Sequence, residues 1–224
     1  MKKMNFMLIN NLKPLFISGF MIIGLVFFVS CNDVETEKVQ DEGELVSVAE
    51  SDIPDALTVI HNRKSVRQYT DEQVSKEQLE ILLKAGMAAP TAGNRQPWYF
   101  IAIDDKNKLQ YLTEYLQYGQ MLNEASAAIV VCGDLSKVNI DGPEYWVQDC
   151  SAVTQNILLA VEAIGLGAVW IGVYPSMQRT EDLIKVLELP ENIIPLSVIS
   201  IGYPDGEQQP KDKWDADKIM WISK

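Results

Sequence analysis

The stretch RKSVRQYT, residues 63–70, gathers side chains that can bind an anion. The chain holds four arginines, of which Arg63 and Arg67 lie here, and Lys64 adds a third cation within five residues. A guanidinium group binds two phosphate oxygens at once, which suits it to a phosphate site built without a glycine-rich loop. Because Arg63, Ser65 and Arg67 alternate, they project to one side of an extended segment. A solvated basic patch, or ion pairs with nearby acids, is the alternative interpretation.

A second polar cluster lies in the loop PTAGNRQPW, residues 90–98. Asn94 and Gln96 carry side-chain amides whose paired donors and acceptors complement the N–H and C=O edge of a flat heterocycle. Together the two segments suit a ligand with a phosphate at one end and an imide-like ring at the other, which is the shape of flavin mononucleotide (FMN). Hydrogen bonding within the loop is the alternative role for these amides.

Helical and strand patterns alternate around these two segments. A helix beginning near Ile53 precedes the cationic stretch, and Ser75 and Gln78 have the form of a capping box that starts the next helix. The remaining predicted elements are strands at 99–103, 127–133, 167–174 and 193–204 and helices at 106–122, 145–164 and 180–189. This alternation predicts one sheet of about four strands in a three-layer α/β or α+β domain. No G-x-G-x-x-G follows a strand and no P-loop motif occurs.

The segment HNRKSVRQYTDEQVSKEQLEILLKAGMAAPTAGNRQPWYFIAI resembles the N-terminal half of the nitroreductase family of FMN flavoproteins. The family pattern is approximately RRSxRxF, a helix and APSAGNxQPW. Further similarity lies in QNILLAVEAIGLGAVWIGVYP (155–175) and IGYPDGEQQPKDK (201–213). The resemblance covers about residues 53–224. It implies an α+β, three-layer α/β/α nitroreductase-like fold in which helices flank a mixed central sheet.

The resemblance also implies which residues bind FMN. Arg63 and Ser65 are expected at the phosphate and ribityl end and Arg67 at the pyrimidine N1–C2=O region, with Lys64 as a further contact. The other implied positions are Pro90, Thr91, Asn94 and Gln96 in a loop that lines the isoalloxazine, usually from the other subunit; Trp170, Ile171 and Gly172 beside the flavin O4–N5 edge; and Lys211 and Lys213 in a basic tail that closes on the phosphate. Lys64, Thr91 and Lys213 replace the more usual arginine, serine and arginine.

A protein of this kind is expected to be an FMN-dependent oxidoreductase in which the flavin carries the chemistry, so no residue is assigned as catalytic. The resemblance implies a homodimer that reduces nitroaromatic or quinone-like small-molecule acceptors by two-electron transfer. NAD(P)H or an exported redox partner is the expected electron donor. Two alternatives stay open: other flavin chemistry on the same fold, such as reductive dehalogenation or flavin breakdown, and a flavin-binding lipoprotein without catalytic activity.

The first thirty residues have the pattern of an export signal. Lys2 and Lys3 precede an apolar run from Leu15 to Val29, and the small residue Ser30 precedes Cys31. FVSC resembles the lipobox of bacterial lipoproteins, which implies that Cys31 is acylated. An uncleaved transmembrane anchor and simple secretion are the alternatives. We predict a lipoprotein signal peptide over 1–30, an acidic flexible tether over 31–52, an FMN-binding domain over 53–224, and lipid anchoring to a bacterial membrane in the periplasm or outer membrane.

Charge and residue counts exclude several functions. The formal net charge is −12, and loss of residues 1–30 with their three lysines takes it to −15. Such a surface repels nucleic acid, so a nucleic-acid partner is excluded. His61 is the only histidine, which excludes a His-rich metal site, and no metal is predicted. Cys132 and Cys150 fall in apolar segments and are expected to be buried free thiols, with a disulfide between them as the alternative.

Overall fold

The computed structural model describes residues 54–138 and 141–223. The predicted signal peptide, Cys31 and the tether over 31–52 lie outside these described residues. Within them, no helix combines the length and the apolar character that crossing a bilayer requires. The predictions of export, acylation and anchoring therefore stay predictions.

Helices and strands alternate along the described residues, as the sequence pattern predicts. The helices are α1 Ala56–Asn62, α2 Lys76–Met87, α3 Lys106–Leu112, α4 Tyr145–Ala163 and α5 Met177–Val186. The strands are β1 Trp98–Ile103, β2 Ala127–Asp134, β3 Gly167–Gly172 and β4 Ile193–Gly202. Short 3-10 turns lie at Ala92–Asn94, Gln120–Asn123, Leu135–Lys137 and Ala216–Lys218.

The four strands form one sheet in the order β1-β2-β4-β3, and each of its ladders is antiparallel. The predicted α+β class is confirmed, whereas the prediction of a mixed sheet is wrong for the described strands. The connection through α4 explains the difference. It carries the chain from β2 to β3, which run parallel to each other but lie two positions apart, and β4 occupies the place between them in the opposite direction.

Helices cover both faces of the sheet, so the predicted three-layer architecture is confirmed. All eight residues of β2 are buried, and alternate side chains enter two separate cores. Ile129 and Val131 join the core under α2 and α4, whereas Ala128 and Val130 join the core under α3 and α5. A strand buried on both faces gives the continuous apolar run seen in the sequence.

Local signals account for some helix boundaries and not for others. Ser75 and Gln78 form the predicted capping box of α2, and Gly165 ends the α4 turn at φ 76°. The helix predicted over 106–122 instead ends at Leu112. The Thr113 hydroxyl donates to the Gln110 carbonyl at 2.7 Å, and the next amides bond three residues back, so the regular helical ladder stops there.

The two cysteines of the domain lie in different cores. Cys132 packs with the α3 and α5 core and Cys150 with the α2 and α4 core. Both are buried and free, and the Cys150 Sγ lies 3.4 Å from the Cys132 carbonyl oxygen. The expectation of two buried free thiols is confirmed.

Candidate cofactor site

The cationic stretch, residues 63–70, lies extended at the edge of the sheet. The Val66 N–H donates to the Ala168 carbonyl of β3 at 2.9 Å, and the Thr70 N–H donates to the Tyr203 carbonyl just beyond β4 at the same distance. The stretch therefore crosses from β3 to the continuation of β4 and is held there by backbone hydrogen bonds.

Val66 and Tyr69 of the stretch face the core, and the residues on either side of Val66 face the solvent. Val66 is 1% exposed, whereas its neighbours Ser65 and Arg67 are exposed and Arg63 is half-buried. The polar groups of Ser65 and Arg67 are thus available to a ligand while the backbone between them is fixed. This arrangement fits the phosphate-binding and flavin-binding roles predicted for these residues.

Lys64 lies in a different environment from its neighbours. Its Nζ is 2.8 Å from Glu162 Oε1 on α4, and both side chains are half-buried. This is the ion pair kept open as the alternative, but the acid lies 98 positions away rather than nearby in the sequence. The pair ties the cationic stretch to α4, and a contact between Lys64 and FMN stays a prediction.

The strand predicted to border the flavin is β3, the edge strand on this side of the sheet. Ile171 is buried and Trp170 half-buried, so their backbone rather than their side chains is suited to meet a ligand. At Gly172, which is exposed, an added Cβ would meet no heavy atom of the described residues within 4 Å. The side of the strand that a Cβ of residue 172 would occupy is therefore open.

A cleft of about 630 Å³ lies between the C-terminal segment and the start of the cationic stretch. Arg63 lines it from the stretch, and Lys211 and Lys213 line it from the C-terminal segment together with the acid Asp212, so three cations and one carboxylate from two distant parts of the chain surround one space. A phosphate group is the ligand that this donor set favours. His61 and Asn62 line the cleft too. These two residues were not predicted from the sequence, although their position in the last turn of α1, directly before Arg63, is the signal that could have identified them.

The second predicted segment, the loop at residues 90–97, is held by a hydrogen bond to α4 and by hydrogen bonds within the loop. The Ala92 N–H donates to the buried Asp149 carboxylate at 2.9 Å. Gln96 Nε2 donates to Asn94 Oδ1 at 3.2 Å, and the Gln96 N–H donates to Thr91 Oγ1 at 3.2 Å. The alternative of hydrogen bonding within the loop is therefore observed. Pro90, Asn94 and Gln96 are exposed and stay available for a ligand.

One chain does not bring the two predicted segments together. Asp149 contacts the loop and Glu162 contacts the cationic stretch, and both lie on α4. Their thirteen positions of separation correspond to about 20 Å along a helix. The loop also leads into β1, whereas the stretch borders β3 at the opposite edge of the sheet. The structure thus assembles the cationic stretch, β3 and the tail lysines into one half-site and places the loop in another.

Known proteins resemble this chain closely. A protein of Archaeoglobus fulgidus provisionally named NADH dehydrogenase/NAD(P)H nitroreductase is 51% identical over 165 residues, which cover 73% of this chain and 91% of that protein. A crystal structure from Parabacteroides distasonis with the same provisional name is 46% identical, with a TM-score of 0.71 and coverage of 75% and 98%. A protein of Desulfovibrio desulfuricans provisionally named a nitroreductase, solved in complex with FMN, is 30% identical, with a TM-score of 0.68 and coverage of 76% and 98%.

The sequence also matches the nitroreductase family as a whole. The match covers residues 60–118 and 113–203, which contain the cationic stretch, the loop and β3. These segments together are more than half of the chain. The chain belongs to the nitroreductase family.

Proposed function

We propose that this protein binds FMN and acts as an oxidoreductase that reduces nitroaromatic or quinone-like acceptors. The observation that carries the proposal is the cleft in which Arg63, Lys211 and Lys213 meet at the edge of the sheet. Three cations around one cleft suit a phosphate monoester, and the open face of Gly172 on the same edge suits a flat ring. Relatives whose names include FMN reductase and nitroreductase support the same conclusion.

Each residue of the half-site has a role in this proposal. Arg63, Lys211 and Lys213 bind the phosphate, and Ser65 binds the phosphate or ribityl hydroxyls. The Arg67 guanidinium would lie at the pyrimidine carbonyl of bound FMN, where a positive charge would stabilise electron density that collects on the ring. When bound, FMN supplies the two-electron redox chemistry, and the chain supplies placement and charge.

We further propose that two copies of the chain complete the site. The loop at residues 90–97 and the cationic stretch lie at opposite edges of the sheet in one chain, so a second copy is needed to bring a loop to each stretch. The C-terminal segment supports this pairing. Trp214, Met220, Trp221 and Ile222 are between 75% and 93% exposed, and burial against a partner subunit would remove this apolar surface from water.

The cellular setting is part of the proposal. We propose that residues 1–30 direct export, that Cys31 is acylated and that the domain lies at a bacterial membrane outside the cytoplasm. NAD(P)H is the donor named for the relatives. An exported redox partner replaces it if nicotinamide nucleotides are scarce in that compartment.

An anaerobic titration of the purified full chain tests the proposal. We expect a yellow protein that releases FMN on denaturation and whose visible absorbance bleaches with dithionite and with NADH or NADPH. Nitro, quinone and halogenated acceptors should then be compared for their ability to restore the colour. Turnover with halogenated acceptors alone would favour other flavin chemistry, and bound flavin without any turnover would favour a non-catalytic binding protein. Colourless protein that ignores added FMN would refute the proposal.

A further inference from the structure

Two buried hydroxyl groups, of Tyr69 in the cationic stretch and of Ser200 in the sheet, lie against each other. Tyr69 is 6% exposed and Ser200, on β4, is fully buried. The Tyr69 hydroxyl donates to the Val66 carbonyl at 2.8 Å and lies 2.7 Å from the Ser200 hydroxyl oxygen. A phenol buried in this way is satisfied on both sides, because it has one proton to donate and oxygen lone pairs to accept with.

The direction of these hydrogen bonds follows from the chemistry of the groups. Two carbonyl oxygens lie within reach of the Tyr69 hydroxyl, that of Val66 at 2.8 Å and that of Ser200 at 3.2 Å. Carbonyl oxygens only accept, so the single phenol proton goes to the nearer one, at Val66, and the Ser200 hydroxyl donates to Tyr69. Burial raises the pKa of Tyr69 far above its ordinary value, so the phenol keeps its proton and this donor persists. The result is a chain of bonds from β4 to the backbone of the stretch.

Val66 is the residue between the two exposed ligand-binding candidates, Ser65 and Arg67. Its N–H is bound to Ala168 and its carbonyl to Tyr69, so both of its backbone polar groups are fixed. The Val66 carbonyl belongs to the planar peptide unit that joins Val66 to Arg67. The orientation of that carbonyl therefore fixes the peptide plane that ends at the Arg67 Cα, the point from which the Arg67 side chain leaves the backbone.

We propose that Tyr69 is a positioning residue for the cofactor, which acts through the Val66 carbonyl to position Arg67. The inference rests on the proposed function, since it concerns how the FMN-binding half-site is held. The family pattern RRSxRxF has phenylalanine at the position of Tyr69. The hydroxyl is thus an addition to the apolar packing that an aromatic ring provides alone.

Three variants separate positioning from simple stability. Tyr69→Phe removes the donor to Val66 and leaves the Ser200 hydroxyl buried without its partner. Ser200→Ala removes a hydroxyl of the same network but keeps the bond from Tyr69 to Val66, so it is the matched control. The double variant removes both hydroxyls and therefore leaves no unpaired hydroxyl at the site, while the Val66 carbonyl still lacks its donor.

The measurements are the dissociation constant of FMN, from fluorescence titration of the apoprotein, and the melting temperature of the same apoprotein. We expect Tyr69→Phe to weaken FMN binding about threefold to tenfold, the loss of one hydrogen bond. We expect Ser200→Ala to lower the melting temperature but to keep FMN binding within about twofold of wild type. The double variant should recover part of the melting temperature of Tyr69→Phe while FMN binding stays weak.

Several results would overturn the inference. Unchanged FMN binding in Tyr69→Phe, or dissociation constants that follow the melting temperature across all three variants, would leave Tyr69 with a structural role alone. If Tyr69→Phe fails to fold, the double variant decides, because it leaves no unpaired hydroxyl: FMN binding weaker than in Ser200→Ala supports the inference, and FMN binding equal to that of Ser200→Ala overturns it. Wild-type protein that does not bind FMN would instead refute the proposed function, and this inference with it.

Discussion

Gly167 and Gly202 face each other across β3 and β4, and each accommodates a side chain of the cationic stretch. A Cβ added to Gly167 would lie 2.7 Å from the Val66 side chain, and one added to Gly202 would lie 2.8 Å from the Tyr69 ring. The two glycines thus make room for the two buried residues of the stretch. The sheet and the stretch are complementary in shape at the point where the cofactor half-site is built.

Gly167→Ala should therefore destabilise the protein, because its methyl group displaces Val66. The new methyl group meets Val66 Cγ1 and Cβ, and overpacking of this kind costs about 1–3 kcal/mol of unfolding free energy. Denaturant unfolding of the apoprotein measures the change. Gly172→Ala is the matched control, because its methyl group enters open space. Gly172→Ala should keep the stability of wild type and weaken FMN binding. Lower stability with unchanged FMN binding in this variant would contradict the proposed site.

Arg67→Ala should weaken FMN binding by about 1.5–3 kcal/mol, the range for hydrogen bonds to charged groups. Because Arg67 is exposed, the variant should unfold at the same denaturant concentration as wild type. Equilibrium dialysis or fluorescence titration gives the dissociation constant. Arg179→Ala, which removes an arginine from α5, provides the control and should bind FMN normally. Equal affinities in the two variants would exclude Arg67 from the site.

The flavin-loaded protein should be a homodimer in which the C-terminal segment contacts the partner subunit. Light scattering should give twice the mass of one chain. Deletion of residues 214–224 should weaken dimerisation and FMN binding together, since the proposed site needs both subunits. A monomer that retains FMN at full occupancy would show that one chain completes the site.

Local sequence signals predicted the parts of the structure that depend on neighbouring residues. The capping box at Ser75 and the glycine after α4 are of this kind, and so is the alternation of exposed and buried residues around Val66. Interactions between distant residues were not predictable in the same way. The partner of Lys64 lies 98 positions away on α4, and only the fold brings it there.

The antiparallel sheet and the early end of α3 also depend on contacts between residues that are distant in the sequence. The helical connection between β2 and β3 suggests neighbouring parallel strands, and nothing local shows that β4 inserts between them. In the segment after α3, Leu116 and Leu122 are fully buried, so the apolar pattern is real although the segment does not continue the α-helix. The separation of the two half-sites became visible only when the order of the strands was known.

The two buried thiols should make the stability of the domain depend on pH in the alkaline range. Burial raises the pKa of the Cys150 thiol from 9.0 to about 12, and it raises the pKa of the Cys132 thiol as well. The folded state therefore keeps both thiols neutral while the unfolded chain ionises them. This contribution is fully present below pH 9 and is lost as the pH rises from about 9 to about 12. Unfolding curves of wild type and Cys150→Ala should converge over that interval, and parallel curves would contradict the assignment.

The negative charge of the chain should weaken its binding of a nicotinamide electron donor. If residues 1–30 are removed on export, the remaining chain carries a formal charge of −15, and NADH and NADPH are anions. Long-range repulsion should raise the KM for both nucleotides, more for NADPH because it carries the additional phosphate. Added salt screens exposed charges, so KM should fall as ionic strength rises from about 0.01 to 0.15 M, where the Debye length shortens from about 30 to 8 Å. The KM for a neutral quinone acceptor, measured at a saturating concentration of the donor, is the control and should not change with ionic strength. Submicromolar KM values for either nucleotide, in a protein demonstrated at the cell surface, would contradict this account and would require a nucleotide pool outside the cytoplasm.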